Sequence, residues 1–203
     1  MLRKTNVKDT VNTTDATVTA LLCDKTFSKS SNLPSDITYS EATAYTDDMI
    51  VGFSTDNVVI YNALSSSNSD ILVSETKYMD QCMLSTTSSG NIIKYHTLSA
   101  CYAGKGSTSK TPELAGDVTD DLLNIQKATW AALKYTSKDL PNEKIIGLAK
   151  DGHVIVGPYN SNGELWTCDE TDICNGVFLK DNSYAYAATQ NFPYMIGCWG
   201  PGP

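Results

Sequence analysis

The sequence predicts a mainly β domain with one α-helix, made of two related β-hairpin-containing halves in a sandwich or barrel-like arrangement. Three observations predict it. Two hairpin signals recur at a fixed offset. Short alternating or apolar runs follow each of them. One stretch of helical spacing separates the two units. On this reading residues 1–48 form an extended N-terminal segment, 49–104 the first half, 105–141 a linker with the helix, and 142–203 the second half.

The hairpins come first. GFSTDNVVIYNALSSSN begins at Gly52 and GLAKDGHVIVGPYNSNG at Gly147, an offset of 95 residues that also aligns Asp56 with Asp151, Val59 with Val154 and Ile60 with Ile155. Asp56-Asn57 and Asp151-Gly152 are pairs that tolerate positive φ, so each predicts a tight turn between apolar strands. Farther on, Asp80-Gln81-Cys82 corresponds to Asp172-Ile173-Cys174. NIIKYHTLSAC, ending at Cys101, corresponds to SYAYAATQNFPYMIGC, ending at Cys198. A period near 95 is too long for a solenoid and suits two halves of one domain.

The helix is read from GDVTDDLLNIQKATWAALKYTSKDLP, Gly116 to Pro141, with apolar Val118, Leu122, Ile125 and Leu133 at helical spacing. Asp117 or Thr119 caps it, and Pro141 lies beyond its end. Trp130 is expected to anchor it on the sheet. At the N-terminus TDATVTALLCD alternates. Thr14, Ala16, Val18, Ala20 and Leu22 share one face of a strand that stands outside the duplicated plan.

Composition narrows the function. The chain has 203 residues, of which 41% are hydrophobic and 19% charged, with a net charge of −8. That balance disfavours nucleic acid and anionic membranes as partners. No run approaches the ~20 apolar residues of a membrane span. The start MLRKTNVKDT is basic but no apolar run follows it, so a secreted form is read as already trimmed. About a fifth of the residues are Ser or Thr, above ordinary usage. Six cysteines without a CxxC pair predict disulfides in an oxidising compartment rather than a zinc site. Asn12-Thr13-Thr14 is a glycosylation acceptor pattern. The oxygen-rich stretch with Asn160, Asn162, Glu164, Asp169, Glu170 and Asp172 lacks the EF-hand order and is read as a solvated loop.

The second unit, GLAKDGHVIVGPYN…CDETDICNG…YAYAATQNFPYMIGCWG, resembles the YHYH domain family. Asp151, Gly152, Ile155, Gly157 and Pro158 match that family's hairpin. Asp172, Cys174, Asn175 and Gly176 match its loop, and Phe192, Pro193, Tyr194, Ile196, Gly197, Cys198 and Gly200 its closing segment. The first unit is similar through Asp80, Cys82, Tyr95, His96 and Cys101. The resemblance covers about residues 50–200 and implies a strand of alternating tyrosine and histidine in each half. Here the second half has Tyr184-Ala185-Tyr186-Ala187 and the first has Ile93-Lys94-Tyr95-His96, so three of four histidine places hold another residue. Only His96 and His153 exist in the chain. No histidine cluster able to hold a metal can form from them, and His96 is left as a weak metal candidate.

Equivalence of the halves suggests Cys82–Cys101 and Cys174–Cys198 as matching bridges, leaving Cys23 and Cys168 to tie the N-terminal segment to the second half, within one chain or between chains. Six cysteines allow fifteen connectivities, so the pairing stays open. The function expected is non-enzymatic, without a cofactor. It is a structural subunit of an extracellular assembly, a filament in which the N-terminal strand of one copy completes the sheet of the next. The partners expected are other copies of the chain, and glycans. Two alternatives are carried: a secreted module binding carbohydrate or protein through rings such as Tyr159, Trp166 and Trp199, and a metal protein or enzyme keeping part of the histidine site.

Overall fold

The computed structural model describes residues 49–65, 70–71, 75, 78–79, 83–87, 90–99, 140–189 and 192–201. The N-terminal strand, Asn12 and nearly all of the expected helix lie outside these residues. So do Cys23, Cys82 and Cys101.

The β-rich class holds. The eight strands are β1 (Ile50–Ser54), β2 (Val59–Tyr61), β3 (Leu84–Thr86), β4 (Ile93–Tyr95), β5 (Ile145–Ala149), β6 (Val154–Val156), β7 (Gly176–Phe178) and β8 (Tyr184–Ala187). Where a sandwich or barrel was expected, the described strands make one open mixed sheet in the order β3-β4-β2-β1-β5-β6-β8-β7. Its connectivity repeats. β1 and β2 form an antiparallel hairpin, β2 runs parallel to β4, and β4 pairs antiparallel with β3. β5, β6, β8 and β7 do the same in the same sense.

The two sets join through antiparallel β1 and β5, where Phe53 faces Leu148. The junction explains a pair of glycines. A Cβ on Gly52 would stand 2.6 Å from the Leu148 carbonyl oxygen, and one on Gly147 would stand 2.7 Å from that of Phe53. Each strand also carries a register irregularity just before its glycine, between Ile50 and Gly52 and between Ile145 and Gly147. Such bulges bend a strand and let backbones approach.

The turns share one local code. Ser54, Ala149, Asn160, Asp172 and Leu179 each donate their N–H to the carbonyl four residues on, and accept from the N–H three residues on. The residue three along, Asn57, Gly152, Gly163, Asn175 or Asn182, has φ between 64° and 96°. This is a three-residue loop closed by a left-handed residue, where Asn and Gly are tolerated best. The sequence expectation placed two of these turns correctly but read them one residue too short.

One face of the sheet carries the main core, in which Val51, Ile60, Tyr95, Ile146, Ile155 and Tyr186 are fully or almost fully buried. Met195, Ile196, Cys174 and Cys198 close over them. The Cys174–Cys198 disulfide, expected from the equivalence of the halves, ties the loop before β7 to the segment after β8. Cys168 is disulfide-bonded as well. Among the described residues no helix is long and apolar enough to cross a membrane.

Candidate functional site at the edge of strand β7

The YAYA strand answers to both faces of the sheet. Tyr184 and Tyr186 point to the core side. Tyr184 donates to Asp172 Oδ2 at 2.7 Å, and Tyr186 donates to Asp151 Oδ2. The Gly200 N–H donates to the Tyr186 hydroxyl at 2.7 Å. His153 packs edge-on against Tyr184, with centroids 4.9 Å apart, and its Nε2 donates to the Pro201 carbonyl at 2.7 Å. In β4 the matching Tyr95 donates to Asp56 Oδ2 at 2.9 Å. The tyrosines therefore do more than pack, because Tyr95 and Tyr186 each tie the strand second from the sheet edge to the carboxylate of the hairpin turn, and Tyr184 ties it to the loop before β7. Tyr184 also explains two glycines: a Cβ on Gly176 or Gly200 would collide with its ring.

Ala185 and Ala187 point to the opposite face, fully buried in a small cluster with Val156, Val177 and Trp166. Register places Lys94 where the second set has Ala185, since Val59 faces Lys94 as Val154 faces Ala185. Ser85 likewise stands where Val177 stands. The two sets thus differ in chemistry on this face. One is apolar; the other holds buried Ser85, Lys94, His96 and Tyr61. The Lys94 Nζ lies 4.8 Å from the Tyr61 ring centroid. His96 Nδ1 donates to the Asn62 carbonyl at 2.5 Å, and its ring lies 5.7 Å from that of Tyr61. Lysine over an aromatic face and a histidine bonded to backbone are both ways to keep a polar side chain inside a fold. Among the described residues no group of three or more His, Cys, Asp or Glu is placed to hold a metal.

The acidic loop is occupied by its own backbone. Asn160 Oδ1 accepts from the N–H groups of Asn162 and Glu164, and Asn160 Nδ2 donates to Glu170 Oε1 at 2.9 Å. Glu170 Oε2 accepts from Thr167 N–H and hydroxyl. Asp172 Oδ1 accepts from Cys174 and Gly176 N–H. These oxygens organise turns.

Folding that loop against the sheet makes a groove of about 230 Å³. One wall is the run Gly176-Val177-Phe178-Leu179-Lys180; the other holds Asn160, Ser161, Asn162, Trp166 and Glu170, with Glu143 nearby. Five consecutive residues line it. Gly176, Val177 and Phe178 belong to β7, and Leu179 and Lys180 to the turn that follows it. β7 is the last of the described strands in the sheet. The Leu179 N–H bonds back to Ser183, and alternation from there turns the Phe178 N–H and C=O away from β8, toward the groove side. The volume is below the ~300 Å³ at which ordinary small-molecule pockets begin.

Tyr159 and Trp166, named from sequence as stacking rings, are both buried, and the Trp166 Nε1 donates to the Gly157 carbonyl at 3.0 Å. Trp199 is half-buried. The groove itself was missed by sequence reasoning. A signal was present: two loops of the same Asx-closed type, at Asn160–Glu164 and Asp172–Gly176, flank Cys168. No family model, curated protein or solved structure matches the chain.

Proposed function

We propose that the chain is a non-enzymatic structural subunit of an extracellular assembly, a filament in which the N-terminal strand of one copy joins the sheet of the next. The reading rests above all on the edge at β7, where Phe178 turns its main-chain N–H and C=O away from β8 while both main-chain groups of Gly176 are taken by Asp172. An edge strand offers main-chain groups to another strand. Here that edge borders the groove lined across from it by Asn160, Trp166 and Glu170. The donor is the alternating segment Thr14, Ala16, Val18, Ala20 and Leu22. Exchange of this kind is head-to-tail, and head-to-tail contacts that do not close give open fibres.

An extracellular place is supported by the Cys174–Cys198 bridge and the hydroxyl-rich composition. Asn12 is the glycan acceptor on this reading. The chain is further read as a YHYH-like domain that has shed most of its histidines, so that the scaffold holds neighbours together and transforms nothing.

Proline removes the strand's N–H donor and is tolerated poorly inside a ladder. Val18→Pro should therefore abolish filaments in negative stain and light scattering while leaving the thermal transition of the domain in place. A Val18→Pro chain that assembles like its parent, or a parent that stays monomeric under oxidising conditions, removes the proposal.

A further inference from the structure

Asparagine followed by glycine occurs twice in the chain, at Asn162-Gly163 and Asn175-Gly176. The pair is open to attack on itself, because glycine has no side chain to shield its nitrogen from the asparagine side-chain carbonyl carbon. Both pairs belong to the three-residue loops described above, yet the fold treats them in opposite ways.

Asn175 is locked. It is buried, and its Nδ2 donates to the carbonyls of Ala187 at 2.6 Å and Met195 at 3.2 Å and to the Thr189 hydroxyl at 3.0 Å. The Gly176 N–H, which would have to give up its proton, donates to Asp172 Oδ1 at 2.6 Å. An amide held at three acceptors does not swing toward the backbone, and an N–H bonded to a carboxylate keeps its proton. The exposed Asn182-Ser183 pair is guarded too: the Ser183 N–H donates to Asp181 Oδ1 at 2.9 Å, and serine carries a Cβ.

Asn162 is exposed, and among the described residues no hydrogen bond holds its side chain. Its own N–H and that of Glu164 donate to Asn160 Oδ1 at 2.9 and 3.1 Å. The frame of the loop is thus anchored while the Asn162 amide stands in water. The Gly163 N–H donates to the Asn160 carbonyl at 3.0 Å, a neutral acceptor within the same turn. Opening that one turn bond frees the nitrogen, and local opening of a surface loop costs far less than unfolding.

We propose that Asn162 is a site of spontaneous modification, at which the groove wall opposite β7 changes from a neutral amide to a carboxylate. The Gly163 nitrogen loses its proton and bonds to Asn162 Cγ. The Cγ–Nδ2 bond breaks, and the amide nitrogen leaves as ammonia with that proton. Water then opens the cyclic imide at either carbonyl and yields aspartate or isoaspartate. Water is the only co-reactant, and no electrons are exchanged.

The position gives the change a consequence. Asn162 lines the groove together with Glu143, Glu170 and Lys180. The charged part of the lining goes from two carboxylates and one lysine to three carboxylates and one lysine. The side chain also turns from one that donates and accepts into one that only accepts. A groove occupant that presents an acceptor or a negative charge is then disfavoured. This holds for any occupant, so the inference does not rest on strand exchange.

The experiment is peptide mapping by mass spectrometry of the full chain aged at mildly alkaline pH, folded under oxidising conditions and, in parallel, unfolded in urea with reductant. In the folded chain the peptide with Asn162 should gain the mass difference between an amide and an acid and resolve into two chromatographic forms. Conversion there should outpace that at Asn175 by about tenfold or more. In urea Asn175 should convert about as fast as Asn162, because only the fold protects it. Asn162→Gln, which would have to close a larger ring, should remove the fast conversion and leave the urea midpoint unchanged. A folded chain in which Asn162 stays intact, or in which Asn175 converts as fast, overturns the inference. So does the same mass gain in the Asn162→Gln chain, which places the reaction at another residue.

Discussion

Tyr194 carries one phenolic proton that spans the molecule. Its hydroxyl donates to Asp70 Oδ2 at 2.8 Å, joining the segment after β8 to the segment after β2. Burial, and then the Asp70 charge and hydrogen bond, push the Tyr194 pKa well above the ordinary value of 10.0. A group whose pKa is raised on folding stabilises the fold below its unfolded pKa and loses that contribution as pH climbs through the folded one. The Tyr194–Asp70 link is therefore intact at neutral pH and weakens in the alkaline range above about 10. Tyr194→Phe should cost about 1.5–3 kcal/mol at pH 7, the usual worth of a hydrogen bond to a charged group. The gap between parent and variant should then shrink as pH rises past 10, read from urea midpoints at each pH. Nothing near Tyr194 in sequence announces Asp70, because the bond joins residues 124 apart.

At the scale of elements the turns were the legible part. Asn57 and Gly152 stand where sequence placed positive φ, and Asn175 and Asn182 follow the same local rule. The rule is local because the closing hydrogen bonds run only three and four residues along the chain. It yields a graded prediction. Gly152→Asn should shift the urea midpoint little, whereas Gly152→Val should cost about 1–2 kcal/mol, the penalty of a left-handed conformation for a residue with a Cβ. Asn57→Gly should be near neutral in the same measurement. The groove beside β7 was not legible, since it depends on where the 160–170 loop lands after folding. The Tyr95–Asp56 and Tyr186–Asp151 bonds were half legible. Sequence singled out all four residues but gave no reason to connect a strand to a turn 35 or 39 residues earlier.

For the whole molecule, the offset of 95 residues predicted two similar units and said nothing of how their strands would lie in a sheet. Two like units can stack as layers or continue one another edge to edge, and hydrophobic pattern is the same in both cases. The deciding residues were Gly52 and Gly147, small because a neighbouring backbone passes each at Cβ distance. Pattern reading treated them only as markers of alignment. The Cys174–Cys198 disulfide was legible in position, whereas its expected counterpart Cys82–Cys101 lies outside the described residues. Cys174 and Cys198 lie 24 residues apart, and a bridge closing a loop of that size contributes about 3 kcal/mol. Replacing both by Ala should lower the melting temperature under oxidising conditions, and added reductant should narrow the difference from the parent.

The strand order has a last consequence. Read from β3 inward or from β7 inward, the sheet presents the same succession of directions, so it is a ribbon without head or tail as far as its main chain is concerned. Any reader of backbone alone meets equivalent margins, turned half a revolution apart. What breaks the tie is side-chain dress: serine and lysine behind one margin, valine and alanine behind the other. The two margins of the described sheet are thus told apart by a handful of side chains on an even-handed frame.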